Sequence, residues 1–141
     1  MKERPTNLKH LSSYRVIYGD TDQMGVVYYA NYLRWFESGR SEFLRQIGLP
    51  YSTIEGQGFH FPVVEVNCRY TQSARYDDLI QIETTLVDLG RASLKFAYRI
   101  SRETDGSFLA SGKTAHACID QSGRITRIPE ILLQALTLAS T

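Results

Sequence analysis

The spacing of apolar side chains changes in the first third of the chain, from a period of two to a helical period. Residues 12–18 alternate, with Tyr14, Val16 and Tyr18 on one face, and this pattern predicts a β-strand. The residues before the strand, 1–10, are polar and predict a flexible N-terminal arm. We therefore expect the folded domain to occupy residues 11–141.

A long amphipathic helix is predicted next, because bulky residues recur at intervals of three and four from Tyr29 onwards. Gly48 and Pro50 end it, since glycine suits the position after a helix and proline cannot continue one. We expect this helix to pack against a sheet through one face. That face is formed by Tyr29, Tyr32, Leu33, Phe36, Arg40, Phe43, Leu44 and Ile47.

Four further segments rich in β-branched and aromatic residues predict strands, and the short connections between them imply antiparallel pairing. Asp105-Gly106 is a hairpin signal between the last two, and a short helix follows Pro129. The layer rule then predicts a single α+β domain, with one helix on one face of a curved antiparallel sheet of about five strands. The predicted elements are strands at 61–70, 79–89, 94–101 and 108–120, and a helix at 130–138.

Composition narrows the classes of function. The chain has 141 residues, which suit one domain, and a net charge of +1, which gives no general attraction to nucleic acid or membranes. Its two cysteines, Cys68 and Cys118, form no C-x-x-C motif and predict buried free thiols in a reducing, cytoplasmic location. The charged N-terminus lacks signal-peptide features, and no apolar run reaches the ~20 residues of a membrane span.

The histidines argue against metal chemistry. His10, His60 and His116 are scattered and form no ligand spacing such as H-x-x-x-H, so we predict no metal site. The sequence also has no G-x-S-x-G motif, which disfavours a serine hydrolase.

The most informative segment is residues 18–32, which joins the first strand to the long helix through a turn that carries Asp20 and Asp22. A helix start offers unpaired N–H donors, and a carboxylate beside them can attack, or direct water at, a carbonyl whose oxygen the donors hold. On this basis Asp22 has two interpretations. It is either a turn or cap aspartate, which is the commoner use of the residue there, or a catalytic carboxylate.

The same segment carries a family resemblance. Asp-x-Asp at 20–22, Gly-Val-Val-Tyr at 25–28 and the helix start at 29–32 resemble the active-site turn of hotdog-fold thioesterases of the 4-hydroxybenzoyl-CoA thioesterase family. One branch, which accompanies the Tol–Pal envelope system, carries a histidine where this chain has Tyr29. Further fragments match in order, at residues 61–66, 74–78, 91–93 and 128–129.

The resemblance implies roles for particular residues of the turn. Asp22, the second of the aspartate pair, matches the catalytic aspartate of the family, while Asp20 would position the loop. Backbone N–H groups around Gly25 and Tyr29 would form the oxyanion hole, a role that does not depend on the side chain.

The resemblance also implies contacts with coenzyme A. Basic residues before the last helix contact the nucleotide in the family, and arginine forks suit its phosphates. Arg124 is the best positional match, with Arg91 and Arg127 as further candidates. Glu37 is the reserve catalytic carboxylate, because another hotdog lineage places a glutamate on the central helix. Its alternative role is an ion pair with Arg40, three residues away.

A member of this family would wrap its sheet around the central helix and form a homodimer or homotetramer with active sites at the interface. The implied activity is hydrolysis of an acyl- or aroyl-CoA thioester to the free acid and CoA, without a cofactor, since the CoA is part of the substrate. Three alternatives stay open: a thioesterase for acyl carrier protein, a non-catalytic acyl-CoA-binding module, and a hydratase, for which we find no His/Asp pair.

Overall fold

One antiparallel sheet of five strands forms the body of the protein, in the order β1-β3-β4-β5-β2. The computed structural model describes residues 4–140. The predicted sheet and the predicted long helix are confirmed, and Leu79–Leu89 has the predicted bounds. The elements are β1 (Arg4–Arg15), α1 (Asn31–Gln46), α2 (Tyr51–Gly56), β2 (Val63–Tyr70), β3 (Leu79–Leu89), β4 (Ser93–Arg102), β5 (Phe108–Ala117) and α3 (Glu130–Ala139).

The core lies between α1 and the central strands. Side chains of β3 and β4 alternate between buried and partly exposed, so that one face of the sheet is apolar. On that face the ring of Phe36 stacks on Tyr98 with centroids 4.3 Å apart, and Phe43 meets Phe96 edge-on at 5.4 Å. Burying one such side chain contributes roughly 1.5–3 kcal/mol, and these contacts fix the helix on the sheet.

Two glycines allow the elements to approach closely. A Cβ on Gly39 of α1 would meet the side chains of Ile82 and Thr84 on β3. A Cβ on Gly112 of β5 would meet the backbone oxygen of Asn67 on the neighbouring strand β2, as well as the ring of an α1 phenylalanine. Neither site can accept a larger residue without moving its neighbours.

The N-terminal boundary differs from the prediction. Strand β1 begins at Arg4, so residues 4–10 are paired with β3 instead of forming an arm, while residues 1–3 lie outside the described residues. The alternation extends upstream through polar residues, and Leu8 packs against the core. At the other end the chain leaves the strand for a 3₁₀ turn at Tyr18–Asp20, which leaves Tyr18 exposed instead of beside Val16.

The helices also differ in detail. The prediction missed α2, which begins directly after Pro50, and α1 starts at Asn31, two residues later than expected. Gly48 has a φ of +83°, as expected for the residue after a helix. Two residues of the predicted apolar face, Tyr29 and Leu33, are exposed. The buried residues of α1 are Tyr32, Trp35, Phe36, Gly39, Phe43 and Leu44.

We expect Gly112→Ala to lower the free energy of unfolding by about 1–3 kcal/mol or more, because the added methyl group would overlap a backbone oxygen that cannot rotate away. Gly56→Ala is the control, since a Cβ there meets nothing within 4 Å and alanine favours the helix by about 0.5–1 kcal/mol. Urea unfolding measures both variants. Equal stability of the two would contradict the close approach of β2 and β5.

Candidate active site

A tight turn presents the Asp22 carboxylate at the surface. The N–H of Asp22 donates to the Val26 carbonyl at 2.9 Å, and the N–H of Gly25 donates to the Asp22 carbonyl at 3.0 Å. Gly25 has a φ of +81°, which glycine adopts without strain. The Met24 N–H donates to Asp22 Oδ1 at 2.8 Å. One carboxylate oxygen therefore orders the turn, and the other has no partner among residues 4–140.

Asp20 is buried and ties this turn to its surroundings, as predicted. Its Oδ2 accepts hydrogen bonds from the Tyr14 hydroxyl at 2.7 Å and the Ile17 N–H at 3.0 Å. Its backbone carbonyl accepts from the Tyr28 N–H and the Asn31 side chain, both at 2.8 Å. Burial, followed by the bond to Asp20, raises the pKa of Tyr14, so this phenol stays a donor. Asp20 therefore holds the loop and is not free for chemistry.

The start of α1 leaves backbone donors unpaired. The peptide planes there are fixed, because the Tyr28 carbonyl accepts from the Asn31 N–H at 2.9 Å and the Tyr29 carbonyl accepts from the Tyr70 hydroxyl at 2.9 Å. The N–H groups of Tyr29 and Ala30 have no acceptor within the described chain. The expectation for Gly25 is corrected, since its N–H is already bonded within the Asp22 turn.

Asp22 and Tyr29 line one cavity of about 440 Å³. Tyr32 and Tyr70 complete its aromatic wall, and no sequence motif predicted a site role for either residue. Tyr70 comes from the end of β2, so only the fold brings it beside the helix start. Burial raises the pKa of both phenols, which keeps them protonated at neutral pH. The lining residues thus bring the Asp22 carboxylate together with aromatic side chains, and one of these residues, Tyr29, has a backbone N–H without an acceptor in the described chain.

The three candidate arginines lie outside this cavity, and all are exposed. The Ile128 N–H donates to the Arg91 carbonyl at 2.8 Å, which brings the segment that contains Arg127 beside the β3–β4 turn. Arg124 closes a turn in which its N–H donates to Asp120 Oδ1 at 3.1 Å. Within residues 4–140, none of the three guanidinium groups forms an ion pair.

Glu37 lies elsewhere, in a second cavity of about 360 Å³ between α1, α2 and the sheet. Arg40 and His116 line this cavity too. The predicted ion pair between Glu37 and Arg40 is not formed, because the single described partner of the Arg40 guanidinium is the Tyr98 hydroxyl at 3.2 Å. Glu37 is therefore separated from the cavity that Asp22 and Tyr29 share.

Residues 4–140 contain no group of three or more His, Cys, Asp or Glu side chains that could hold a metal ion. No helix in the same range is long and apolar enough to cross a membrane. A metal-free mechanism and a cytoplasmic location stay predictions.

Comparison with known proteins decides the family. A family model described as the thioesterase-like superfamily matches residues 16–136. This chain belongs to the thioesterase-like superfamily. The predicted family, the hotdog fold and the enzyme class, a thioester hydrolase, are thereby confirmed. The roles of individual residues stay predictions.

Three similar proteins illustrate the relationship. The acyl-CoA thioesterase YbgC of Haemophilus influenzae is 37% identical over 107 residues, which cover 75% of this thioesterase and 77% of that protein. The 4-hydroxybenzoyl-CoA thioesterase of Pseudomonas sp. is 32% identical over 95 residues, which cover 65% and 67%. The crystal structure of DHNA-CoA thioesterase from Staphylococcus aureus superposes with a TM-score of 0.87 at 26% identity, covering 94% and 91%.

The burial of His116 predicts a pH effect on stability. Burial lowers its pKa to about 4, although a hydrogen bond to the Phe61 carbonyl favours the protonated ring. In the unfolded chain the pKa is about 6.5, so the unfolded state binds more protons between these values. We therefore expect the His116 contribution to stability to be complete above about pH 6.5 and to fall as the pH drops towards 4.

Urea unfolding of the parent, His116→Gln and the control His10→Gln between pH 4 and 7.5 measures this effect. The His116 variant should show a flatter dependence on pH than the other two proteins. Parallel pH profiles for all three would contradict a neutral, buried His116.

Proposed function

We propose that this thioesterase hydrolyses acyl- or aroyl-CoA thioesters, with Asp22 as the catalytic carboxylate and the Tyr29 N–H as the oxyanion donor. The observation that carries the proposal is that Asp22 lines one cavity with Tyr29, whose backbone N–H has no acceptor among residues 4–140. The relatives named acyl-CoA thioesterase and 4-hydroxybenzoyl-CoA thioesterase support a CoA ester as the substrate.

The free oxygen of Asp22 has two chemically sound roles. It either attacks the thioester carbon, giving a mixed anhydride that water then hydrolyses, or it takes a proton from a water molecule that attacks the same carbon. In both routes the carbonyl oxygen gains negative charge, which the Tyr29 N–H stabilises at the positive end of the helix dipole. The bond to sulfur breaks and CoA leaves as its thiolate. A thiolate is a good leaving group, so we propose no metal and no cofactor.

Asp22→Asn should reduce kcat by about a hundred- to ten-thousandfold and leave the fold intact, because the amide oxygen can still accept the Met24 N–H. Asp105→Asn is the matched control, since Asp105 Oδ1 also accepts an N–H two residues later but lines neither cavity. Thiol release from a panel of short, long, aromatic and hydroxylated acyl-CoAs measures the rates. An Asp22 variant within about threefold of the parent would refute a catalytic role for Asp22. A parent that binds acyl-CoA but releases no thiol would favour an acyl-CoA-binding module.

We also propose that Arg124, Arg127 and Arg91 bind the nucleotide of CoA. They are exposed cations without ion pairs in residues 4–140, and they lie on neighbouring turns that a backbone hydrogen bond joins. Their position outside the Asp22 cavity suits the nucleotide, which is the part of the substrate farthest from the thioester.

The double variant Arg124→Met/Arg127→Met should raise KM for acyl-CoA by about three- to tenfold, since two exposed charge contacts are lost. Neither kcat nor the turnover of a truncated N-acetylcysteamine thioester should change. Arg99→Met, another exposed arginine, is the control and should match the parent. An equal effect on the truncated ester would contradict nucleotide binding.

A strong preference for acyl-carrier protein over acyl-CoA would favour the carrier-protein alternative.

We further propose that the enzyme is a homodimer or homotetramer. Strand β2 is an edge of the sheet, and Val63, Val64 and Val66 on it are 44%, 64% and 43% exposed. Proteins seldom leave such an apolar edge uncovered, and pairing across a two-fold axis would close it.

Light scattering at the assay concentration should give two or four times the mass of one chain. A charged substitution on the exposed edge, Val64→Lys, should lower the mass and the activity together, whereas Gln134→Lys at an exposed position of α3 should leave both unchanged. A fully active monomer would contradict a shared active site.

A further inference from the structure

The second cavity combines apolar walls with one cation. It measures about 360 Å³, within the range of pockets that bind small molecules. Leucine, isoleucine, valine and phenylalanine side chains form most of its wall, among them Phe61, Phe96 and Leu132. Arg40 is the one arginine or lysine among the residues described as lining it, and no residue lines both cavities. A partly buried guanidinium in such surroundings is costly unless oxygen atoms satisfy it.

A chain of hydrogen bonds leads from the Phe61 carbonyl to Arg40. The donor and acceptor in each bond follow from the carbonyl, which can only accept. The Phe61 carbonyl can only accept, so His116 Nδ1 donates to it at 3.0 Å and Nε2 must accept. Thr114 then donates to Nε2 at 2.8 Å, and the Tyr98 hydroxyl donates to Thr114 Oγ1 at 2.6 Å. The Tyr98 oxygen is left to accept from Arg40 Nη1 at 3.2 Å.

This chain of bonds uses one of the five N–H donors of Arg40. The described residues give the guanidinium no carboxylate partner, and Glu37, one turn earlier, is exposed and makes no ion pair with it. His116 adds no charge, since burial keeps its pKa near 4. The cavity is therefore lined by one guanidinium with several N–H donors that no described residue accepts, by the exposed Glu37 carboxylate, and otherwise by mostly apolar side chains.

We propose that this cavity binds an organic carboxylate with a small hydrophobic body, whose carboxylate pairs with Arg40. A guanidinium fork matches a carboxylate in shape, and one cation matches one negative charge. Apolar walls suit a ring or a short alkyl chain and disfavour a strongly hydrated phosphate. The proposal goes beyond the proposed function, and its test measures binding instead of turnover. Thioester hydrolysis would itself release an acid of this class.

The two charged side chains of the cavity give opposite predictions. Arg40→Met removes the cation and should weaken benzoate binding by about tenfold or more. Glu37→Gln removes a negative charge at the rim and should tighten benzoate binding about two- to threefold. Arg45→Met, five residues farther along α1 and paired with Glu42, does not line the cavity and should not change benzoate binding.

Calorimetric titration at pH 7 with benzoate, hexanoate and neutral benzamide provides the test. The parent and Asp22→Asn should bind both acids alike and benzamide at least tenfold more weakly. The ¹⁵N chemical shifts of the His116 ring should change on binding, which would place the acid in this cavity.

Failure of the parent to bind either acid, or unchanged binding in Arg40→Met, would overturn the proposal. If Arg40→Met does not fold, Glu37→Gln at its exposed position provides the test. Benzoate binding by this variant that is equal to or weaker than that of the parent would also overturn the proposal.

Discussion

The buried carboxylate of Asp20 is the interaction on which the arrangement of the site depends. It is 2% exposed, and a carboxylate removed from water is costly unless its oxygens accept hydrogen bonds. Tyr14 on β1 supplies one, while the Asp20 carbonyl holds the Tyr28 N–H and the Asn31 side chain at the start of α1. Both ends of the loop are fixed in this way, so Asp22 sits at the surface on a rigid support.

The long helix carries two chemically different places on one rigid body. The turn directly before it contains Tyr29, whose N–H has no acceptor among the described residues, and Arg40 lies about 14 Å along the axis from Asn31. The stacking of Phe36 on Tyr98 sets the position of the helix on the sheet, and Tyr98 also accepts the Arg40 hydrogen bond. The same core packing therefore fixes the positions of both cavities, the one lined by Asp22 and the one lined by Arg40.

The sequence predicted most of the sheet and the position of Asp22 in a turn before the long helix, because these features are local. Alternation along β3 and the helical spacing after residue 29 are visible without knowledge of tertiary contacts. Tyr70 and His116 could not be assigned roles, since their partners lie 41 and 55 residues away along the chain. The spacing of Glu37 and Arg40 predicted an ion pair, and only the fold shows that Arg40 bonds to the Tyr98 hydroxyl instead.

The central claim is that a thioester binds with its carbonyl oxygen on the Tyr29 N–H and its carbonyl carbon beside Asp22. The most direct test is a crystal structure of Asp22→Asn soaked with an acyl-CoA that the parent hydrolyses. We expect the thioester oxygen at about 3 Å from the Tyr29 nitrogen, with the residue 22 side chain next to the thioester carbon. A thioester bound elsewhere, for example in the Arg40 cavity, would contradict this mechanism.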